Sequence, residues 1–369
     1  MVQAGRPVEA DMFIGRGQEI IQIMGLLAVG QNVVLIAPRR MGKTSLVLEI
    51  LSRFRKKGLA TGMVDLFEVA TIRELAEGIT TTVLEHKKLA SVFRKIKHDL
   101  AELLRSVELK AELKGHEFLV RFGQKDTDSL KLLADSLDYI DNTSKEKKMI
   151  FALDEFGDIG KLDGEQLVKL FRAKLQRHKN ATYIFSGSYE SVMASMFIKP
   201  NSPFFRFATI INLGYIEKDA FVPYLRKILK KGKLTLTKEQ LNEALDFTKG
   251  HPYYTNLFAQ QALIQKAVNP RFKYSLRAVQ EAMLLVEKSY IEKTWEELSA
   301  STETRLTLLE LARGDTPVYT SLDYRRVNVS RAMRKLSELG LLWKAESASE
   351  LIDPLFTLWL RRVILKLSD

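Results

Sequence analysis

Residues 32–50 combine a short apolar run, a tight turn and an amphipathic stretch. The run NVVLIA is flanked by polar residues, as a buried parallel strand is, and apolar residues recur at helical spacing from Lys43 to Lys57. Gly42, Lys43 and Thr44 complete the GxxxxGK[ST] pattern, in which backbone N–H groups at a helix N-terminus bind phosphate. This strand, loop and helix constrain the fold most, because they predict an α/β sheet that opens on a phosphate site.

The loop departs from the usual pattern at its first glycine, which is replaced by Ala37. Glycine is favoured there because the backbone approaches the phosphates closely, so the methyl group of Ala37 predicts some loss of nucleotide affinity. The predicted nucleotide-binding residues of the loop are Pro38, Arg39, Arg40, Met41, Gly42, Lys43, Thr44 and Ser45. The alternative is an ordinary turn between a strand and a helix, since Gly, Lys and Thr are all common residues.

Two acidic residues follow a second apolar run, Met149 to Leu153. The run predicts a buried strand, and ligands bind at the carboxyl ends of strands in open α/β sheets. We expect Asp154 to hold Mg²⁺ through coordinated water and Thr44 to supply a direct hydroxyl ligand. We expect Glu155 to polarise the water that attacks the nucleotide. The alternative is that the two acids simply begin a helix.

A third apolar run, in residues 181–188, ends in Ser186 and Ser188. In P-loop ATPases with a catalytic glutamate, a polar residue at this strand end lies between that acid and the γ-phosphate. Ser188 is therefore the predicted sensor residue. The alternative is that both serines cap a helix that begins near Tyr189.

Six segments together carry a resemblance to a known family, and they are FIGRGQEI, APRRMGKTS, FALDEFGDI, FSGSYESV, SPFFRFATIINLGYI and TKGHPYYTNLF. Their order and spacing resemble the archaeal-type ATPases of the STAND branch of the AAA+ superfamily, which are related to origin-recognition-type initiators. The resemblance covers nearly the whole chain. It implies an α/β fold: a P-loop NTPase core of the ASCE type with a parallel sheet, a helical lid and a C-terminal winged helix-turn-helix.

The resemblance also implies which residues contact the phosphate end and the adenine end of the nucleotide. A Pro-Arg-Arg sequence inside the phosphate loop is usual in that family, so only Ala37 remains a departure. Ile14, Gly15 and Arg16 match the segment that packs against adenine and ribose.

Two further positions take their predicted roles from the resemblance. Gly250, His251 and Pro252 match a lid turn in which the proline lies over the base, so His251 and Pro252 are predicted ATP-binding residues, with His251 a packing residue rather than a catalytic base. Arg206 matches a position that acts as an arginine finger or a phosphate sensor. The alternative for Arg206 is a surface or salt-bridged arginine.

Residues 107–113 alternate apolar and charged side chains with a period of two, and Gly115 follows. This pattern predicts a β-hairpin inserted into the core near residues 106–123. The hairpin either contacts a protein partner or closes an edge of the core, and the sequence favours neither.

The last part of the chain, residues 299–369, reads as a helix, a polar turn, a helix ending in Leu-Gly-Leu-Leu, and a short strand pair through Trp343 and Leu351. This order predicts a winged helix-turn-helix. The predicted recognition helix and the turn before it carry the cations Arg325, Arg326, Arg331, Arg334 and Lys335. Such a cluster fits the phosphates of duplex DNA. Docking of a protein is the alternative, since residues 301–369 as a whole are much less basic.

Composition limits the remaining classes of function. The formal net charge of +12 fits a polyanionic partner and, equally, a solubilising surface. The absence of cysteine excludes disulfides, thiolate metal sites and a cysteine nucleophile, and the five histidines show no metal-binding spacing. No apolar run approaches the roughly 18 residues of a membrane span, and the first residues lack the order of a signal peptide. We therefore expect a cytoplasmic protein without a membrane partner.

These patterns predict an ATPase that binds ATP or ADP with Mg²⁺ and hydrolyses ATP. We expect a core in residues 1–215, a lid in residues 216–298 and the winged helix in residues 299–369, with the bound nucleotide setting the lid angle. One alternative is a nucleotide-locked scaffold with negligible turnover that binds DNA or docks a protein. Another is a ring-forming ATPase of DNA replication or of a mobile element, which would require an ATP-dependent homo-oligomer.

Overall fold

The structure is a computed structural model. It describes residue 5 and residues 13–85, 109–114, 117–122, 128–162, 164–188, 191–314, 318–321, 327–344 and 349–367. Within these ranges, no helix combines the length and the apolar character needed to cross a membrane.

The described residues form nine strands: β1 (Val33–Ala37), β2 (Ala60–Asp65), β3 (Leu109–Lys114), β4 (Glu117–Phe122), β5 (Met149–Asp154), β6 (Ala181–Ser188), β7 (Thr209–Asn212), β8 (Leu342–Lys344) and β9 (Ser349–Leu351). They also form fourteen α-helices: α1 (Gly17–Ala28), α2 (Lys43–Lys56), α3 (Ile72–Glu85), α4 (Ser129–Glu146), α5 (Gly164–Leu175), α6 (Ser191–Phe197), α7 (Lys218–Lys231), α8 (Lys238–Thr248), α9 (Pro252–Val268), α10 (Leu276–Ser299), α11 (Thr302–Arg313), α12 (Val318–Ser321), α13 (Val329–Glu338) and α14 (Pro354–Trp359).

Five parallel strands form the central sheet in the order β2, β5, β6, β1, β7. Every residue of β1 and of β5 is buried, which explains why both strands read as unbroken apolar runs in the sequence. Alternate residues of β1 face opposite sides of the sheet: Val33 and Leu35 pack with α1 and α2, whereas Val34 and Ile36 pack with α3, α4 and α5. The core is therefore a three-layer α/β/α sandwich.

Strands β3 and β4 pair antiparallel, with Leu109 opposite Phe122 and Lys114 opposite Glu117. This hairpin lies where the alternation of residues 107–113 predicted one. Val107 and Gly115 lie outside the described residues. The hairpin forms its own two-stranded sheet, separate from the central sheet, and it contacts α3.

Helices α7 to α10 follow β7 and pack on one another. They are succeeded by α11, the short α12, α13 and the antiparallel pair β8 and β9. The helix α12 lies where the sequence predicted a polar turn, and the winged helix-turn-helix stays a prediction. One apolar cluster contains residues from both parts, including Phe221, Phe258 and Met283 before residue 298 and Leu308, Leu336 and Phe356 after it. Residues on both sides of the expected boundary between 298 and 299 thus share one apolar core. The boundary itself stays a prediction.

Candidate functional site

The loop between β1 and α2 has two left-handed positions. Gly42 has φ 83° at the N-terminus of α2, and Arg40 has φ 66°. Left-handed backbone costs a residue with a side chain roughly 1–2 kcal/mol, so Gly42 suits its place and Arg40 is strained there. Ala37 ends β1 without a positive φ. The backbone at this position therefore does not require glycine, which explains how the loop forms despite the departure from the pattern.

Lys43, the first residue of α2, is buried beneath the loop. Its Nζ donates to the carbonyl oxygens of Ala37 and Pro38 at 3.1 and 3.2 Å. The same Nζ lies 4.0 Å from Oε1 of Glu155. The loop thus folds around the lysine and directs the ammonium group toward the acidic end of β5.

Asp154 ends β5 with its side chain fully buried. The hydroxyl of Thr44 donates to its Oδ2 at 2.6 Å, the hydroxyl of Ser186 donates to Oδ1, and the Glu155 backbone N–H donates to Oδ1 at 3.1 Å. Burial of a carboxylate is costly unless its oxygens accept hydrogen bonds such as these. The two predicted magnesium ligands, Thr44 and Asp154, are therefore in direct contact.

Glu155 follows in left-handed conformation, with φ 45°. The Ser188 backbone N–H donates to its Oε2 at 3.2 Å, and the Ser188 hydroxyl lies 3.4 Å from both carboxylate oxygens. Ser186 and Ser188 both lie in β6, where Ser186 donates to Asp154 and Ser188 donates to Glu155. Ser188 therefore contacts the predicted catalytic acid.

The turn after Glu155 is anchored by an aromatic cluster. Phe156 is fully buried, and its ring centroid lies 4.9 to 6.2 Å from those of Phe171, Phe185, Phe197 and Phe204. Edge-to-face contacts at such distances favour one ring orientation. This packing holds the backbone that presents Glu155 in its strained conformation.

These elements enclose a cavity of about 450 Å³, within the usual range for small-molecule sites of roughly 300–1,000 Å³. The predicted residues that line it are Ile14, Arg16, Arg39, Arg40, Met41, Gly42, Lys43, Thr44, Ser45, Glu155, Ser188 and Pro252. The predicted residues that do not line it are Gly15, Pro38, Asp154, Arg206 and His251. The cavity thus joins the phosphate loop, the acids and the lid.

The apolar end of the cavity is built where the core meets the lid, from Ile14, Ile216, Phe221, Pro252 and Tyr253. The buried Arg16 donates to the carbonyl oxygens of Met41 at 3.2 Å and Gly214 at 2.6 Å. Arg16 therefore ties the phosphate loop to the segment that leads into the lid.

His251 lies beside this junction but points away from the cavity. Its ring packs 4.8 Å from the Tyr254 ring and 6.1 Å from the Tyr215 ring, and its Nδ1 has no hydrogen-bond partner among the described residues. Burial, together with Arg40 and Arg16, lowers the pKa of His251 to about 3. The imidazole is therefore neutral and packs against these rings, and the predicted part of His251 in ATP binding stays a prediction.

Arg206 is exposed, has φ 58° and lies outside the cavity of its own chain. Its guanidinium is 5.2 Å from the ring of its neighbour Phe205. It forms no ion pair with any other described residue. Within the described part of the chain, Arg206 is therefore not a salt-bridged arginine.

Sequence reasoning missed a third acid at the site. Asp65 ends β2 directly opposite Asp154 in the sheet register and lines the cavity. Burial, followed by the charges of Asp154 and Glu155, raises the pKa of Asp65. The signal was present, because β2 also ends in a carboxylate at the ligand-binding edge of the sheet. Asn256 also lines the cavity, and its Oδ1 accepts a hydrogen bond from the Tyr224 hydroxyl at 2.5 Å.

The donor set fits Mg²⁺ held against a phosphate. The described residues contain no cluster of three or more His, Cys, Asp or Glu side chains suited to a metal cage. Mg²⁺ keeps several waters and usually binds one or two protein oxygens together with phosphate oxygens. Thr44 and Asp154 supply that kind of oxygen pair beside the phosphate loop.

The predicted DNA-binding residues fall in two groups. Arg331, Arg334 and Lys335 are exposed on α13, whose opposite face is buried, and none of them pairs with an acid among the described residues. Arg325 and Arg326 lie outside the described residues.

Strand order and motifs define the class of protein. A single strand, β6, separates β1, which leads into the phosphate loop, from β5, which ends in the paired acids. With the Gly42-Lys43-Thr44 sequence and a glutamate after Asp154, this is the P-loop NTPase fold of the ASCE type. Residues 13–258 match the family model of an ATPase domain found predominantly in Archaea. The chain therefore belongs to this family of archaeal ATPase domains.

Solved structures share the fold. A Walker-type ATPase of Pyrococcus abyssi superposes with a TM-score of 0.69 at 20% identity, over 98% of this chain and 100% of that chain. The ORC2 protein of Aeropyrum pernix, in ADPNP and ADP complexes, superposes with a TM-score of 0.53 at 15% identity, over 95% and 94% of the two chains. No curated protein sequence is significantly similar to this chain.

Proposed function

We propose that this chain binds ATP with Mg²⁺ in the cavity and hydrolyses it. The observation that supports this most is the approach of Lys43 Nζ to 4.0 Å from Glu155 at the cavity wall, with Ser188 bonded to the same acid. The complexes of ORC2 with ADPNP and ADP support an adenine nucleotide as the class of ligand.

Each side chain has a distinct part in this proposal. Lys43 and the N–H groups at the start of α2 bind the triphosphate, because they present positive charge at one end of the cavity. Glu155 accepts a hydrogen bond from the attacking water and orients it, while Ser188 fixes the carboxylate. Thr44 and Asp154 would hold Mg²⁺, which would neutralise part of the phosphate charge.

Two substitutions test the proposal. Lys43→Ala should abolish ATP binding, since the main cation for the phosphates is lost. Glu155→Gln should keep ATP bound but unhydrolysed, because only the base is removed. Exposed Lys57, after the end of α2, gives the matched control Lys57→Ala, which should behave as wild type in both assays. Wild-type turnover in Glu155→Gln would contradict the assignment of the base.

We also propose that α13 couples the ATPase to duplex DNA. The support is the exposed group Arg331, Arg334 and Lys335 on one face of that helix, none of which pairs with an acid in the described part of the chain. If these cations neutralise phosphates, log affinity falls with log salt by about 0.9 per contact. Arg331→Ala with Arg334→Ala should flatten that slope by up to about two units and leave DNA-independent ATPase activity intact. An unchanged slope, with loss of a protein partner, would favour the docking alternative.

Nucleotide state would act as a switch by setting the lid angle, and hydrolysis would reset it. Exposed Arg206, outside the cavity of its own chain, supports action on the nucleotide of a neighbouring copy in an ATP-dependent homo-oligomer. A nucleotide-locked scaffold is distinguished from this switch by turnover, since it binds ATP and does not hydrolyse it.

A further inference from the structure

Arg40 belongs to the phosphate loop, yet its guanidinium contacts the lid. Its Nη1 donates to Oε2 of Glu287 on α10 at 3.0 Å. The guanidinium carbon lies 4.1 Å from the ring centroid of Tyr253 on α9 and 5.2 Å from that of Tyr290 on α10. A planar guanidinium stacks on aromatic rings and pairs with a carboxylate at once, which an ammonium group does less well. Arg40 therefore spans the loop and two helices of the lid.

Glu287, the ion-pair partner of Arg40, is the second residue of this contact. It is buried, and its other oxygen accepts a hydrogen bond from the Tyr253 hydroxyl. Burial and the bond to Glu287 raise the pKa of Tyr253, so the hydroxyl stays protonated and keeps donating. A buried carboxylate without a cation is strongly unfavourable. Among the described residues, the cation paired with Glu287 is Arg40, which lies 247 positions away in the chain.

The loop holds a strained backbone at the same residue. Arg40 has φ 66°, a conformation that residues with side chains rarely adopt. Strained positions persist where surrounding contacts fix them, and here the contacts that fix the side chain come from the lid. The loop conformation and the lid position are therefore determined together.

Tyr253 connects the Arg40 contact to the nucleotide cavity and, through its neighbour Tyr254, to the C-terminal module. It lines the cavity beside Pro252, at the end where the core meets the lid. Its neighbour Tyr254 donates to Asp353, and Asp353 caps α14 by accepting from the Leu355 and Phe356 backbone N–H groups at 2.9 Å. A displacement of Tyr253 would thus be felt at the nucleotide cavity and in the C-terminal module.

We propose that Arg40, Glu287 and Tyr253 form a latch that positions the lid against the phosphate loop, so that Arg40 acts as a positioning residue through the lid. The part of this inference that concerns nucleotide affinity rests on the proposed ATP binding. Loss of the latch weakens closure over the nucleotide but leaves Lys43 and Glu155 in place. The expected result is a change in KM with little change in kcat.

The kinetic test uses Arg40→Ala, Arg40→Lys, Glu287→Gln and the double variant Arg40→Ala with Glu287→Gln. Both Arg40→Ala and Glu287→Gln should raise KM for ATP about tenfold or more and change kcat less than about threefold. Arg40→Lys should restore part of the affinity, because it keeps the charge but not the stacking. The double variant should cost less than the sum of the single changes, since no buried charge is left unpaired. Unchanged or lower KM in Glu287→Gln would show that Arg40 serves the phosphates directly and would overturn the latch.

A second readout does not depend on ATP. The chain has no cysteine, so Lys57→Cys in the core and Glu243→Cys on α8 give two exposed sites for spin labels. The distance distribution between them should be narrow in the labelled parent and broad in Arg40→Ala and Glu287→Gln. Two surface variants serve as matched controls. Arg53→Ala removes an exposed arginine that pairs with Glu49, Glu292→Gln lies on the same helix as Glu287, and both should keep the narrow distribution.

The two readouts separate the two proposals. If the parent protein bound no ATP, the proposed function would fail, and the label distances would still decide whether the latch positions the lid. A narrow distribution in Arg40→Ala would overturn the latch whatever the ATPase assay shows.

Discussion

Gly250 gives a sharp test of how the lid is joined to the core. Its φ is +72°, and a Cβ built on it would lie 2.1 Å from the carbonyl oxygen of Ile216. The Ile216 backbone N–H also donates to the Gly250 carbonyl oxygen at 3.1 Å. The two segments are therefore held at a separation that has no room for a methyl group, so Gly250→Ala must push them apart.

The magnitude follows from three contributions. Left-handed backbone costs alanine roughly 1–2 kcal/mol. Relief of the clash adds about 1–3 kcal/mol, as overpacking does in other well-packed sites. Loss of the Ile216 to Gly250 hydrogen bond adds about 1 kcal/mol. We expect Gly250→Ala to cost roughly 3–5 kcal/mol in total, if the three contributions partly overlap.

Gly314 supplies the matched control. It ends α11 with φ +75°, and a Cβ there meets no atom within 4 Å. Gly314→Ala therefore carries the same backbone strain without the clash and should cost only roughly 1–2 kcal/mol. Urea or thermal unfolding of both variants measures the difference. Because Ile216 lines the cavity, Gly250→Ala should also weaken ATP binding, whereas Gly314→Ala should not. Equal destabilisation of the two variants would refute the close approach of the two backbones.

Three further predictions test neighbouring features. Ser188→Ala should lower kcat about tenfold at unchanged ATP affinity, because one hydrogen bond to a charged group is worth roughly 1.5 kcal/mol. Single-turnover kinetics would measure this loss, and a rise in KM without a fall in kcat would contradict it. The pKa of His251 is lowered to about 3, so from pH 7 to pH 5 the unfolded state takes up a proton that the folded state does not. Between pH 7 and pH 5 the wild type should therefore lose about 2 kcal/mol more unfolding free energy than His251→Phe. Urea unfolding at both pH values measures this loss, and an equal loss in the two proteins would contradict the prediction. Mixing Arg206→Ala with Lys43→Ala should restore partial ATP turnover if Arg206 acts on a neighbouring copy; no rescue at any ratio would favour action within one chain or no catalytic role.

The sheet and the phosphate site were predictable because their causes are local in sequence. Buried parallel strands give unbroken apolar runs, as in β1 and β5, and the residues that follow such runs lie at one edge of the sheet. The predicted ends of one helix also lie within one residue of the observed ends. Periodicity from Lys43 to Lys57 predicted α2, which spans Lys43–Lys56. The contact between Thr44 and Asp154 follows from the same rule, since both lie at that edge.

Contacts between distant segments were not predictable. Nothing near Arg40 in the sequence indicates Glu287, and the loop pattern alone assigned Arg40 to the nucleotide. Asp65 was missed because it is a single acid at the end of β2, whereas Asp154 and Glu155 form a recognisable pair. Arg331 and Arg334 were predicted to lie on a recognition helix, and both are exposed on α13, but contact of that helix with DNA depends on a partner.

The arrangement of contacts restricts where a nucleotide-driven motion can occur. Lid and C-terminal residues share one apolar cluster, so separating them would expose that surface to water at a cost of roughly 25 cal/mol per Å². The described contacts between the core and the lid include the packing of Ile14 against this cluster and the ion pair of Arg40 with Glu287. We therefore expect the lid and the C-terminal module to turn as one unit about residues 214–216, with the Arg40 contact deciding which lid angle the phosphate loop selects.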